Sequence, residues 1–313
     1  IFIAAPFMIC SFIMNNLLRF QGKASFAMVG ITVGGLLNIA LDPLFIFTLD
    51  MGTAGAALAT GLSQFISFCI LLWMCNHQDS CISISIRKFR PKLAIYREVL
   101  YGGIPSLGRQ GIASVATILM NFMCQPYGDA TIAAMSIVSR FMFFINSVII
   151  GFGQGFQPVC SYCFGAGLYD RVKKACWFCI RVSTIILLVL SVISFPAARS
   201  IITLFRRNDP TVIEIGTLAL RLQLIPLPLQ GAVIMGNMMP QSIGYGFRAT
   251  LVSTARQGIF LIPLLTIMTY TIGLLGIQCA QPLADIATFI LSLFVIRGIF
   301  KEFPEDASSF AAQ

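Results

Sequence analysis

Charge is what this chain has least of. Asp, Glu, Lys and Arg together make up 11% of its 313 residues, with one histidine and only 12 acids among them. With 57% hydrophobic residues, so sparse a polar complement excludes a soluble globular domain. No HExxH pair, Ser–Lys arrangement or acid pair at catalytic spacing occurs, so the chain reads as no enzyme. The ten cysteines lack the spacing of a secreted disulfide framework. Cys160-x-x-Cys163 and Cys176-x-x-Cys179 mimic a zinc ribbon, but both pairs sit in apolar helical stretches, the second beside Trp177 and Phe178. There cysteine acts as a small hydrophobe, and no structural metal or other cofactor is expected. His77 reads as solvated. The front lacks a basic n-region, a cleavage site and an initiating Met, and opens inside an apolar run at Ile1, which predicts an N-terminal truncation.

Apolar length is present in abundance. Mean hydropathy is +0.87. Stretches long enough to cross about 30 Å of hydrocarbon recur at 1–18, 25–47, 54–75, 98–124, 130–158, 172–197, 211–239, 249–270 and 273–299. The expectation is an all-α integral membrane protein with nine spans, its partner the lipid bilayer.

The net charge of +9 invites a nucleic-acid reading, and the placement of the charges argues against it. Thirteen Lys and Arg fall on the face shared by the loops after spans one, three, five and seven and by the C-terminus, against Arg199, Arg206 and Arg207 on the other. By the positive-inside rule the first face is cytoplasmic, so a cell-membrane location explains the basic balance and no nucleic acid is expected. A monomer is expected.

Shifting the chain against itself by 220 or 221 positions aligns Pro6 with Pro226, Gln21 with Gln241, Pro43 with Pro263, Gly52 with Gly273, Gly55 with Gly276, Ala59 with Ala280 and Phe68 with Phe289. In that register the counterparts of 98–220 precede Ile1, which predicts a twelve-span parent in two parallel six-helix halves with nine spans present here. The expected division is 1–76 for helices four to six of the first lobe and 77–97 for a cytoplasmic linker. Residues 98–300 then form the second lobe and 301–313 a cytoplasmic tail.

Asp42 is the residue that most needs a reason. It lies near the end of the apolar run 26–49, directly before Pro43. A carboxylate at the bilayer centre costs roughly 2.5–3.5 kcal/mol on insertion scales, less toward the interface. Asn38, four residues earlier, shares its helix face, and Thr60 on the next helix is as far from Met51 as Asp42 is. Three oxygen-bearing side chains then converge at one depth, a set suited to Na⁺ or to a proton carried on the acid. The plainer reading is a solvated Asp-Pro step with Thr60 bonded to its own backbone.

Three segments together resemble the multidrug and toxic compound extrusion (MATE) family. They are Asn38-Ile-Ala-Leu-Asp42-Pro43-Leu-Phe, Met51-Gly52-x-x-Gly55-Ala56-Ala57-x-Ala59-Thr60, and Gly151-Phe-Gly-Gln154-Gly155-Phe-Gln157-Pro158-x-x-Ser161-Tyr162-x-x-Gly165-Ala166-Gly167 with Asp170-Arg171-Val172-Lys173. The resemblance implies a two-lobed, MATE-like bundle that exports organic cations and amphipathic drugs by Na⁺ or H⁺ antiport through alternating access. It also implies a cation site in the first lobe that includes Asn38, Asp42 and Thr60, completed by an Asp on the family's first helix. Other members use acids on the seventh and tenth helices; here only Glu98 and Glu214 stand near those helix ends, so a second-lobe cation site of that kind is not expected.

Arg109, Arg140 and Arg221 each lie about ten residues inside a span, and Asp285 twelve residues into the last one. Charges inside a membrane pair, so Asp285 is expected to neutralise one of these three arginines. A substrate or gating role for them is the alternative, and a lipid-linked saccharide flippase of the same superfamily, with a basic cavity, is the competing function. Met14, Phe141, Met142, Met235 and Met238 read first as packing or lipid-facing residues, and second as a soft cavity lining.

Overall fold

The computed structural model describes residues 4–77, 92–206 and 209–303, without the side chains at 77, 94, 95, 98–106 and 109. The described residues are helical and contain no strand. They form two compact units, Ile1–Lys92 and Leu93–Gln313.

Unit 1 holds three helices, α1 (Ala5–Phe20), α2 (Ala24–Pro43) and α3 (Gly52–His77). Pro6 sits in the first turn of α1, where its missing N–H is no loss. α2 and α3 pack through small residues. Gly30 and Gly34 form a Gly-x-x-x-Gly face, and a Cβ on Gly34 would stand 2.8 Å from the Ser67 Cβ. Lipid tails are as apolar as the helices, so close backbone approach and interhelical hydrogen bonds drive association. Both are present: Ser67 Oγ donates to the Gly30 carbonyl at 2.9 Å, and Asn15 Nδ2 of α1 donates to the Ala27 carbonyl of α2 at 2.8 Å. Past Pro43, α2 widens into a π-helical turn over Leu44–Thr48. Pro43 cannot donate the usual helical bond, and the chain resettles into the wider ladder.

Unit 2 comprises α4 (Leu93–Cys124), α5 (Asp129–Gly165), α6 (Tyr169–Phe205), α7 (Pro210–Leu224), α8 (Gln230–Ser242), α9 (Gly246–Thr254), α10 (Leu261–Ile272) and α11 (Leu274–Glu302). α7 starts on an Asp209 cap that accepts the Val212 N–H at 3.3 Å, with Pro210 in its first turn. α9 runs into α10 through a second π-helical segment, Ala255–Phe260. Buried positions on α5 recur every three or four residues, at Thr131, Ala134, Met135, Val138, Met142, Ile145 and Ile149, which gives the long helix one core-facing stripe. Met14, Met142 and Met235 are packed in the cores of their units. Cys160 and Cys176 are wholly buried in the unit 2 core.

Among the described residues, six helical segments are long and apolar enough to cross a membrane: Ala24–Thr48, Gly52–Asn76, Asp129–Gly165, Tyr169–Phe205, Gly246–Ile272 and Leu274–Glu302. The expected single span at 211–239 is broken: α7 and the segment Leu227–Ser242 meet at a 44° bend, with Pro226 and Pro228 at the junction. Prolines there cost backbone donors and crowd the preceding turn. Large apolar side chains such as Ile39, Phe47, Phe144 and Phe294 lie exposed on the helix surfaces, as contact with hydrocarbon requires.

The internal repeat is visible in the backbone. Gly52 and Gly273 open α3 and α11 with φ of 52° and 69°, a conformation that L side chains avoid. Three residues on, Gly55 and Gly276 each lie where a Cβ would strike the carbonyl of the preceding turn, Phe45 in one unit and Met268 in the other. The glycine pairs thus do the same mechanical work in both units.

Candidate cation site and intramembrane charge network

In unit 1 the last turns of α2 bring Asn38 and Asp42 together. Asn38 Nδ2 donates to Asp42 Oδ1 at 3.3 Å, and both residues are half-buried. This is the only hydrogen bond to the Asp42 carboxylate among the described residues, so most of its lone pairs are free. The π-helical turn begins two residues later, and such turns recur at functional sites because they re-aim side chains. Thr60, half-buried on α3, donates its hydroxyl proton to the Ala56 carbonyl at 3.0 Å. The backbone-bonded reading of Thr60 is therefore the observed one. Its donor is spent, while the oxygen retains lone pairs that a cation can use. The side chains of Asn38, Asp42 and Thr60 each offer an oxygen, a ligand type that fits a hard cation or a proton.

In unit 2 the charge network differs from expectation. Asp285 is 2% exposed and its ion-pair partner is Arg256, whose Nε donates to Oδ1 at 2.8 Å. The expected pairing with Arg140 or Arg221 is corrected accordingly. Arg140 lies exposed on α5, and the Arg221 guanidinium sits over the Phe195 ring at 5.5 Å; the Arg109 side chain lies outside the described residues. Two amides complete the shell: Gln281 Nε2 donates to Oδ1 at 3.1 Å and the buried Gln230 Nε2 to Oδ2 at 2.7 Å. A buried carboxylate is tolerated when a cation and further donors satisfy it, and here both oxygens are taken. Arg256 lies in the second π-helical segment, which turns its side chain toward α11. The Gln281–Asp285 spacing matches that of Asn38–Asp42, a signal readable in the sequence; Gln230 and Arg256 join through tertiary packing that spacing does not reveal.

Glu98 and His77 also lie outside the described side chains. Glu214 is exposed on α7.

Long apolar helices, a proline-broken pair and a half-satisfied acid beside a helix irregularity define a polytopic, all-helical membrane protein of the transporter type. The MatE family model matches residues 105–276, more than half of the chain, and the chain belongs to that family. It is 27% identical over 308 residues to the multidrug export protein MepA of Staphylococcus haemolyticus (strain JCSC1435), covering 98% of this chain and 68% of that protein. The solved structure of the outward-facing conformation of a multidrug resistance MATE family transporter of the MOP superfamily superposes with a TM-score of 0.85 at 26% identity, covering 94% of this chain and 66% of that one. A MATE crystal structure in complex with MaL6 shares the fold, with a TM-score of 0.87 at 24% identity. The chain spans about two thirds of the length of these relatives.

Proposed function

We propose that this protein is a secondary active transporter that exports organic cations and amphipathic drugs by Na⁺ or H⁺ antiport. The observation that carries the reading is the Asp42 carboxylate, held by Asn38 at 3.3 Å and otherwise unsatisfied, at the start of a π-helical break in an apolar helix. In this mechanism Asp42 takes up the inward-moving cation, Asn38 orients the acid and Thr60 adds a neutral oxygen. Neutralising Asp42 removes the cost of holding a charge among the unit 1 helices and shifts their packing; a transporter needs such a differential effect to couple two ligands. The same acid discharges its cation on the cytoplasmic side during the reset. In this reading residues 77–97, of which 78–91 lie outside the described residues, act as a cytoplasmic linker.

The similarity to proteins described as multidrug exporters supports this reading. The test is ethidium efflux from proteoliposomes carrying the full-length protein under a Na⁺ or proton gradient. Efflux in Asp42→Asn should fall to the rate of empty vesicles, and wild-type efflux by that variant sinks the mechanism. The flippase is the second reading, favoured by Arg140 and Arg221, which have no carboxylate partner among the described residues. Preferential binding of an anionic lipid-linked saccharide over ethidium would select it.

A further inference from the structure

Where α6 ends and α7 and α11 begin, unit 2 has an open cleft of about 980 Å³ lined in part by Arg199, Glu214, Thr217, Arg221 and Gln278. Glu214, Thr217 and Arg221 are spaced three and seven residues apart, so they share one face of α7. Arg221 on α7 and Arg199 near the end of α6 line the same cavity. Phe195, one turn from Arg199, carries the Arg221 guanidinium on its ring.

The cavity's polar groups lack partners. Among the described residues neither arginine has an acid within salt-bridge distance, and Glu214 has no base. Gln278 is 1% exposed; its Nε2 donates to the Ile215 carbonyl at 3.2 Å, but its Oε1 is buried with no hydrogen-bond partner, as is the Thr217 Oγ1. Charges and orphaned acceptors at the edge of hydrocarbon are costly, and snorkelling accounts for arginines alone. It leaves Glu214 and the Gln278 oxygen without a purpose. Two guanidinium groups suit one phosphate, and a carboxylate with neutral acceptors beside it suits a protonated amine. The rim is apolar: Leu218 and Leu275 also line the cavity, and they are 42% and 49% exposed.

We propose that this cavity binds the headgroup of a phosphoethanolamine lipid, with the phosphate between Arg199 and Arg221, the ammonium on the Glu214 side, and the acyl chains leaving over Leu218 and Leu275. The site is separate from Asp42 and its occupancy is read without transport, so it stands or falls independently of the antiport mechanism.

The test is native mass spectrometry of the detergent-purified full-length protein titrated with phosphatidylethanolamine, phosphatidylcholine, phosphatidylglycerol and soluble glycerophosphoethanolamine. The wild type should retain phosphatidylethanolamine at least tenfold better than phosphatidylcholine, whose trimethylated nitrogen has no N–H to give. Arg199→Gln with Arg221→Gln should lower that retention at least tenfold, and Glu214→Gln should erase the preference between the two lipids. Equal retention of both lipids by the wild type overturns the proposal, a result independent of whether any variant folds. Tighter binding of phosphatidylglycerol overturns it in favour of an anionic lipid. Competition by glycerophosphoethanolamine at the same concentration as the lipid overturns the membrane source in favour of a soluble phosphate.

Discussion

Unit 1 and unit 2 each place an aspartate four residues after an amide on one helix, and the two acids end up in opposite states. Asp42 follows Asn38, is half-buried, and receives one hydrogen bond at 3.3 Å. Asp285 follows Gln281, is 2% exposed, and receives donors from Gln281, Gln230 and Arg256 at 3.1, 2.7 and 2.8 Å. The local pattern is shared, so the difference lies in what the neighbouring helices contribute. Around Asp285 they bring a guanidinium and a second amide, which lock the acid into the fold. Thr60 on α3, expected from the sequence to stand at the depth of Asp42, gives its proton to its own backbone. Asp285 is structural, and Asp42 keeps most of its lone pairs free for the cation we propose it takes.

The sharpest way to break this contrast is to truncate each acid and compare stability. Asp285→Ala strands Arg256 in a partly buried site and should cost about 3–5 kcal/mol, seen as a large fall in the thermal midpoint in detergent. An unchanged midpoint would show that the network carries no weight. Packing sets the next scale. Gly34→Leu forces a side chain into the Ser67 contact, where the Cβ alone would stand at 2.8 Å, and should cost about 1–3 kcal/mol by overpacking. Gln281→Leu removes one donor from Asp285 while Arg256 and Gln230 remain, and should cost about 1 kcal/mol. Asp42→Asn, by contrast, should lower stability by no more than about 0.5 kcal/mol in the absence of coupling cation, because nothing is bonded to its second oxygen among the described residues. Thr60→Val keeps the side-chain shape, leaves stability within the same range, and should weaken cation binding several-fold. Equal stability losses at Asp42 and Asp285 would abolish the distinction between them.

Much of this was legible in the chain, for physical reasons that also mark where legibility stopped. Helix positions follow from apolar length, and the α3 and α11 starts follow from glycines that the backbone needs at positive φ. The Asn38–Asp42 contact is local, set by helical spacing. Arg256 as the partner of Asp285 is not local: the two are 29 residues apart on different helices, and their meeting depends on how the second π-helical segment turns. Counting residues from a span boundary favoured Arg109, Arg140 and Arg221 by depth, but depth says nothing about azimuth. The bend at Pro226 was not expected from the sequence: its aligned partner Pro6 opens α1 in one unit, while Pro226 breaks a span in the other.

The most direct test is the cation dependence of thermal stability, measured for the full-length protein in NaCl and in choline chloride at equal ionic strength, and across pH, for the wild type and Asp42→Asn. A cation that binds only the folded state stabilises it according to its concentration relative to its dissociation constant. The account predicts a Na⁺-linked or proton-linked shift in the wild type that disappears in Asp42→Asn. The same shift persisting in Asp42→Asn would contradict it.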